Sequence, residues 1–111
     1  AAVQVRNRGT IGGNFCSAVP SADLPPICIA GSASVRLVGL QGERTIPATD
    51  FFVGPRRTVL GPTDVVTAIG IPAPTPGTGD ASLRQGGRVS LSLPIATAAA
   101  VVRLENGVCV Q

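Results

Sequence analysis

Apolar positions along the chain fall into short runs separated by glycine and proline. Residues 3–6 alternate apolar and polar, a period of two that predicts the end of a strand. Residues 7–20 hold Gly9, Gly12, Gly13, Asn14, Ser17 and Pro20, the composition of a loop. The pattern changes at Ser21, which is placed to cap a helix. Asp23 then falls in the first turn, where negative charge is favoured, and Pro25 and Pro26 fit only a first turn. The helix is expected to be short and to stop at Gly31. Residues 34–39 alternate around Val35 and Leu37 and predict a strand. Gln41-Gly42 turns the chain, and residues 44–47 return it as a hairpin. Thr49 is expected to cap one helical turn holding Asp50, Phe51 and Phe52, broken by Gly54-Pro55. Residues 64–71 place Val65, Thr67, Ile69 and Ile71 on one face of a third strand, which Pro72 ends.

Residues 72–79 carry Pro72, Pro74, Pro76, Gly77 and Gly79, so they predict a loop or a connection between domains. A second unit is expected from about Ser82. Its 91–104 stretch is rich in alanine and β-branched residues, and Asn106-Gly107 is a strong hairpin signal. Residues 95–104 and 108–111 read as two strands. The alanine run from 96 to 102 fits a helix as well, because periodicity alone does not separate the two.

Composition narrows the class. The chain is 44% hydrophobic and 14% charged, which excludes a disordered polymer. Its 111 residues suffice for one modest domain or part of a larger one. It contains no methionine and opens in mid-pattern, so a fragment is expected. No apolar run reaches the ~18 residues of a membrane span, and Arg103 closes the longest stretch. No secretory leader is visible. The expected location is the cytoplasm.

The net charge of +3 comes from dispersed arginines, of which only Arg56 and Arg57 are adjacent. With no Tyr or Trp to stack on bases, a nucleic-acid partner is not expected. Cys16, Cys28 and Cys109 show no CxxC spacing and there is no histidine, so no metal site is expected. They read as thiols of a reduced protein.

A chain without histidine has no Ser-His-Asp or Cys-His pair and no HExxH site. It also lacks the GxSxG, Walker and GxGxxG patterns. No catalytic side chain is expected, and any redox chemistry falls to a cofactor. Thr10-Ile11-Gly12-Gly13-Asn14 suits a diphosphate. Adjacent glycines let backbone N–H groups approach a phosphate and permit φ > 0, so that consecutive amides form an anion-binding nest. Thr10 adds a hydroxyl, and Asn14 an uncharged donor. Alone, the same segment reads more readily as an ordinary glycine turn with a polar cap, because Gly-Gly pairs are common. Asp23 reads either as a helix cap or as an acceptor for ribose hydroxyls or an adenine amine. Arg84 and Arg88, flanking Gln85-Gly86-Gly87, are placed to hold flavin or phosphate oxygens or to lie solvated.

Taken in order, these segments resemble a known family. Val5-Arg6-Asn7-Arg8-Gly9-Thr10-Ile11-Gly12-Gly13-Asn14 is followed by Ser21-Ala22-Asp23-Leu24-Pro25 and Gly42-Glu43-Arg44-Thr45-Ile46-Pro47. Then come Asp50-Phe51-Phe52 and Arg57-Thr58-Val59-Leu60. The succession is similar to the FAD-binding subunit or domain of the molybdenum hydroxylases: xanthine dehydrogenase, aldehyde oxidase and carbon monoxide dehydrogenase.

The resemblance implies an α+β fold of the kind found in p-cresol methylhydroxylase (PCMH-type). Residues 1–72 would be the second FAD-binding subdomain, 73–80 a linker and 81–111 the start of the C-terminal subdomain. A first subdomain, with another glycine-rich loop, is not in this sequence. Carried over by position, Thr10, Ile11, Gly12, Gly13 and Asn14 would meet the FAD pyrophosphate. Asp23 would meet the adenosine half, Val66 the adenine, and Arg84, where relatives carry lysine, the flavin ring. The implied role is electron transfer, from iron–sulfur clusters to NAD or another acceptor. Those clusters and the molybdenum cofactor would reside on partner subunits or domains. Two other readings of the residues remain: a non-enzymatic β-rich binding or assembly module, and a stand-alone FAD oxidase of the same wider fold.

Overall fold

The computed structural model describes residues 3–87 and 93–110. The chain opens with two short helices, α1 (Val3–Arg8) and α2 (Ile11–Cys16), followed by α3 (Leu24–Ala30). The strand expected at residues 3–6 is thus a helix. Four alternating positions fit either period, and Arg6 and Arg8 fall in a last turn, where positive charge favours a helix end. The loop expected over 7–20 contains α2, because the Thr10 hydroxyl accepts the Gly13 N–H at 3.0 Å and so caps the helix. Phe15, fully buried, anchors its inner side. Helix α3 stops at Gly31 as expected, but the residue at its N-cap position is Asp23, not Ser21.

Strands β1 (Ser34–Gly39) and β2 (Gly42–Pro47) form the expected hairpin, with Gly42 at φ 109 closing the Leu40-Gln41 tip. Val35 and Leu37 point inward and are fully buried, while Arg36 between them faces solvent. Helix α4 (Ala48–Phe51) follows directly on β2, with Pro47 rather than Thr49 at its N-cap position. The Thr49 hydroxyl instead donates to Asp50 at 3.1 Å. Two short strands, β3 (Phe52–Gly54) and β4 (Arg57–Thr58), fold back on each other. In the turn between them Arg56 adopts φ 56, and its N–H donates to the Ala18 carbonyl at 2.7 Å.

Strand β5 (Val65–Gly70) completes an antiparallel sheet in the order β2-β1-β5. Its phase differs from the expected alternation. Arg36 faces Ala68 and Leu37 faces Val66, leaving Thr67 as a bulge whose hydroxyl donates to the Arg36 carbonyl at 3.4 Å. The bulge shifts the period by one, so Val66 and Ile69 turn toward the core instead of Val65, Thr67 and Ile69 sharing one face.

Every buried residue among those described lies between Phe15 and Phe51. The centre is a trio of phenylalanine rings. Phe15 is 5.0 Å from Phe51 and 4.9 Å from Phe52, and Phe51 meets Phe52 edge-on at 5.1 Å. Such aromatic pairs contribute about 0.5–1.5 kcal/mol each beyond the area they bury.

A second sheet, β6-β7-β8, follows a stretch of turns rich in proline. It comprises β6 (Thr78–Gly86), β7 (Pro94–Glu105) and β8 (Val108–Cys109), so the alanine run is strand, not helix. Asn106 (φ 52) and Gly107 (φ 79) form the two-residue left-handed turn that their sequence predicts. The sheet leans on α3 through β7. Among the described residues, none of its positions is buried.

Candidate functional site

The 10–14 segment is the start of a helix, not a nest. Neither Gly12 nor Gly13 takes positive φ; among the described glycines only Gly42, Gly77 and Gly107 do. The amides converge because they occupy the first turn of α2. Ile11 and Gly12 hold its first two positions, where an N–H has no acceptor inside the helix. Gly13 donates to the Thr10 Oγ1, which leaves the Thr10 hydroxyl hydrogen available to an outside acceptor.

The two glycines have different reasons to be glycine. A Cβ on Gly12 would meet nothing within 4 Å, so its surface is open for a ligand to approach the backbone. A Cβ on Gly13 would come within 2.9 Å of the Thr10 Oγ1 and push the cap aside. Ile11 is exposed beside them.

Asn14 ties this turn to the next helix. Its Oδ1 accepts the Leu24 N–H at 3.1 Å, while its own N–H donates to the Thr10 carbonyl at 3.0 Å. With its carbonyl oxygen engaged, the side chain still has its amide donors to offer. The start of α3 is the opposite of the start of α2. Pro25 and Pro26 carry no N–H, and the Leu24 amide is already given to Asn14. Donors for an anion are therefore concentrated at α2. N–H groups without an acceptor among the described residues, an open Gly12 surface, a hydroxyl and a side-chain amide together form a set of donors that an anion could take.

The other expected residues fall at two places. Asp23 and Arg84 are brought together, with Arg84 Nε 3.3 Å from Asp23 Oδ1. Val66 is half-buried against the cluster that contains Phe15, directly after Asn14. Arg88 lies outside the described residues. The Asn14–Leu24 bond was not anticipated; the paired prolines after Leu24 were its only trace in the sequence.

Elsewhere the chemistry is quiet. Burial pushes the Cys16 and Cys28 thiols up, away from the reactive thiolate. No cysteine forms a disulfide, and among the described residues no cluster of Cys, Asp and Glu could hold a metal ion. No helix among them is long and apolar enough to cross a membrane. Asp64 is held below the usual carboxylate range by the Gly61 N–H at 3.0 Å and by Arg44 Nη2 at 2.6 Å. It sits on Gly39, where any Cβ would collide with its carboxylate. A cleft of about 810 Å³ between α3 and β7, lined by Pro26, Ile29, Val53 and Ala98 among others, contains none of the expected site residues.

Comparison with known proteins identifies the family. Residues 1–74 match the family described as "FAD binding domain in molybdopterin dehydrogenase". The carbon monoxide dehydrogenase medium chain of Hydrogenophaga pseudoflava is 46% identical over 76 residues, covering 68% of this chain and 26% of its own length. Xanthine dehydrogenase 2 of Arabidopsis thaliana is 40% identical over 73 residues, covering 65% of this chain and 5% of that protein. Among solved structures, the carbon monoxide dehydrogenase from Hydrogenophaga pseudoflava lacking the Mo-pyranopterin moiety of its cofactor superposes with a TM-score of 0.92. It is 38% identical, and the match covers 98% of this chain and 38% of that one. The chain thus spans well under half the length of the proteins it matches.

Proposed function

Because the chain belongs to the family of FAD-binding domains of molybdopterin dehydrogenases, we propose that it is the electron-transfer flavin module of a molybdenum-containing hydroxylase. The observation that carries the proposal is the open start of α2: amides at Ile11 and Gly12 with no acceptor among the described residues, beside Thr10 and Asn14, and open space where a Gly12 Cβ would stand. In this reading Thr10, Ile11, Gly12, Gly13 and Asn14 hold the diphosphate. The amides donate to its oxygens, and the helix dipole favours its negative charge. Val66 offers an apolar edge to the adenine, and Arg84 stands toward the flavin ring.

When bound, FAD supplies redox chemistry that no side chain here can, linking iron–sulfur clusters to NAD or another acceptor. The protein's own part is to bind, orient and tune, with no side-chain acid or base. The clusters and the molybdenum cofactor would belong to partner subunits or domains. The division into residues 1–72, a connection over 73–80 and a unit from 81 is supported by the two separate sheets, although β6 begins at Thr78.

Gly12→Asp in the full-length protein is the sharpest test. The new side chain has room, and an acid in a helix's first turn does not harm the helix. It would, however, place a carboxylate where the diphosphate should lie. The expected result is an unchanged melting temperature with loss of the visible flavin spectrum. Stoichiometric FAD in a folded Gly12→Asp protein would sink the assignment.

A further inference from the structure

Aspartate is common at a helix N-cap because its carboxylate accepts the N–H of the second or third helical residue. In α3 those residues are Pro25 and Pro26, which have none, and Leu24 is served by Asn14. Asp23 accordingly makes no side-chain cap hydrogen bond. Its carboxylate reaches instead to Arg84 of β6, with the two side chains 29% and 38% exposed. The contact joins the unit with the phenylalanine core to the second sheet.

We infer that Asp23 is a positioning residue acting through Arg84: the carboxylate fixes where the guanidinium stands across the seam between α3 and β6, and the pair meets the cofactor as one element. The inference rests on the FAD reading and deepens it. A guanidinium is a planar fork whose direction matters, unlike the point charge of a lysine, so holding its Nε also fixes the plane of its terminal nitrogens.

A double-mutant cycle tests this in full-length protein stripped of flavin and titrated with FAD. The variants are Asp23→Asn, Arg84→Met and both together. Each single change is expected to weaken FAD binding about tenfold and to alter the visible circular dichroism of the bound flavin. The double variant should bind no worse than either single, a coupling of about tenfold against additive loss. Asp23→Glu, which keeps the charge, should restore most of the affinity. The exchanged pair Asp23→Arg with Arg84→Asp should keep the melting temperature of the unaltered protein but not its flavin dichroism, since the attraction returns while the cation has moved. Additive effects, or full recovery of the dichroism in the exchanged pair, would overturn the inference and leave the FAD reading intact. Failure of the unaltered protein to take up FAD would remove both.

Discussion

The two sheets of this molecule are held together in different ways. The β2-β1-β5 sheet covers a core in which Phe15, Val35, Leu37 and Phe51 are sealed from solvent. The β6-β7-β8 sheet has a longer ladder and no buried side chain among the described residues; Leu83 is 77% and Ile95 78% exposed. The first unit is specified by side-chain packing, the second by backbone pairing and its turns. The candidate phosphate-binding turn belongs to the first, one residue from the core. Arg84 of the second reaches Asp23 of the first.

This contrast sets the expected scale of substitutions. Phe51→Ala removes a ring that touches two others and should cost about 3–5 kcal/mol of unfolding free energy. Leu83→Ala should cost less than about 0.5 kcal/mol. Denaturant unfolding of both variants checks the pair, and a comparable cost at Leu83 would break the contrast.

The second unit should be vulnerable at its backbone. Gly77 adopts φ 84, and a Cβ there would collide with the Leu104 carbonyl across the ladder. Gly77→Ala is expected to cost about 1–3 kcal/mol, through strain rather than lost burial. Amide exchange should speed along β6 and β7 while the β1 amides keep their protection. Equal loosening of both sheets would show that the units open together.

The smallest effect concerns acid. Asp64 has a lowered folded-state pKa, from the Gly61 amide first and Arg44 second. Its stabilising contribution is therefore complete above the ordinary carboxylate pKa of about 4 and is lost as pH falls through the lowered value. Arg44→Gln should make the acid limb of the stability profile shallower without removing it, because the Gly61 N–H remains. An unchanged slope below about pH 4 would place the acid sensitivity elsewhere.

Much of this was legible in the residues. The β1 alternation, the stop at Gly31 and the Asn106-Gly107 turn are local devices, each encoded within a few positions. The family likeness and the α+β class were readable from ordered motifs. What escaped was set by contacts distant in sequence or by one atom against another. Helix α2 was hidden because Gly12-Gly13 resembles a turn, until the Thr10 cap and the burial of Phe15 outweigh glycine's low helix propensity. The Thr67 bulge depends on the partner strand, which no period within β5 reveals. The Asn14–Leu24 and Asp23–Arg84 contacts join segments whose proximity exists only in the folded chain.

Phe15 has a practical meaning beyond packing. It is sealed between two other rings and is bonded directly to Asn14, so the candidate phosphate-binding turn has little freedom of its own. Loosening beneath the rings would loosen the grip on the cofactor well before global unfolding. Flavin released during gentle warming should then act as a thermometer for the core. An engineer seeking slower cofactor loss would begin under Phe15 and leave the glycines alone.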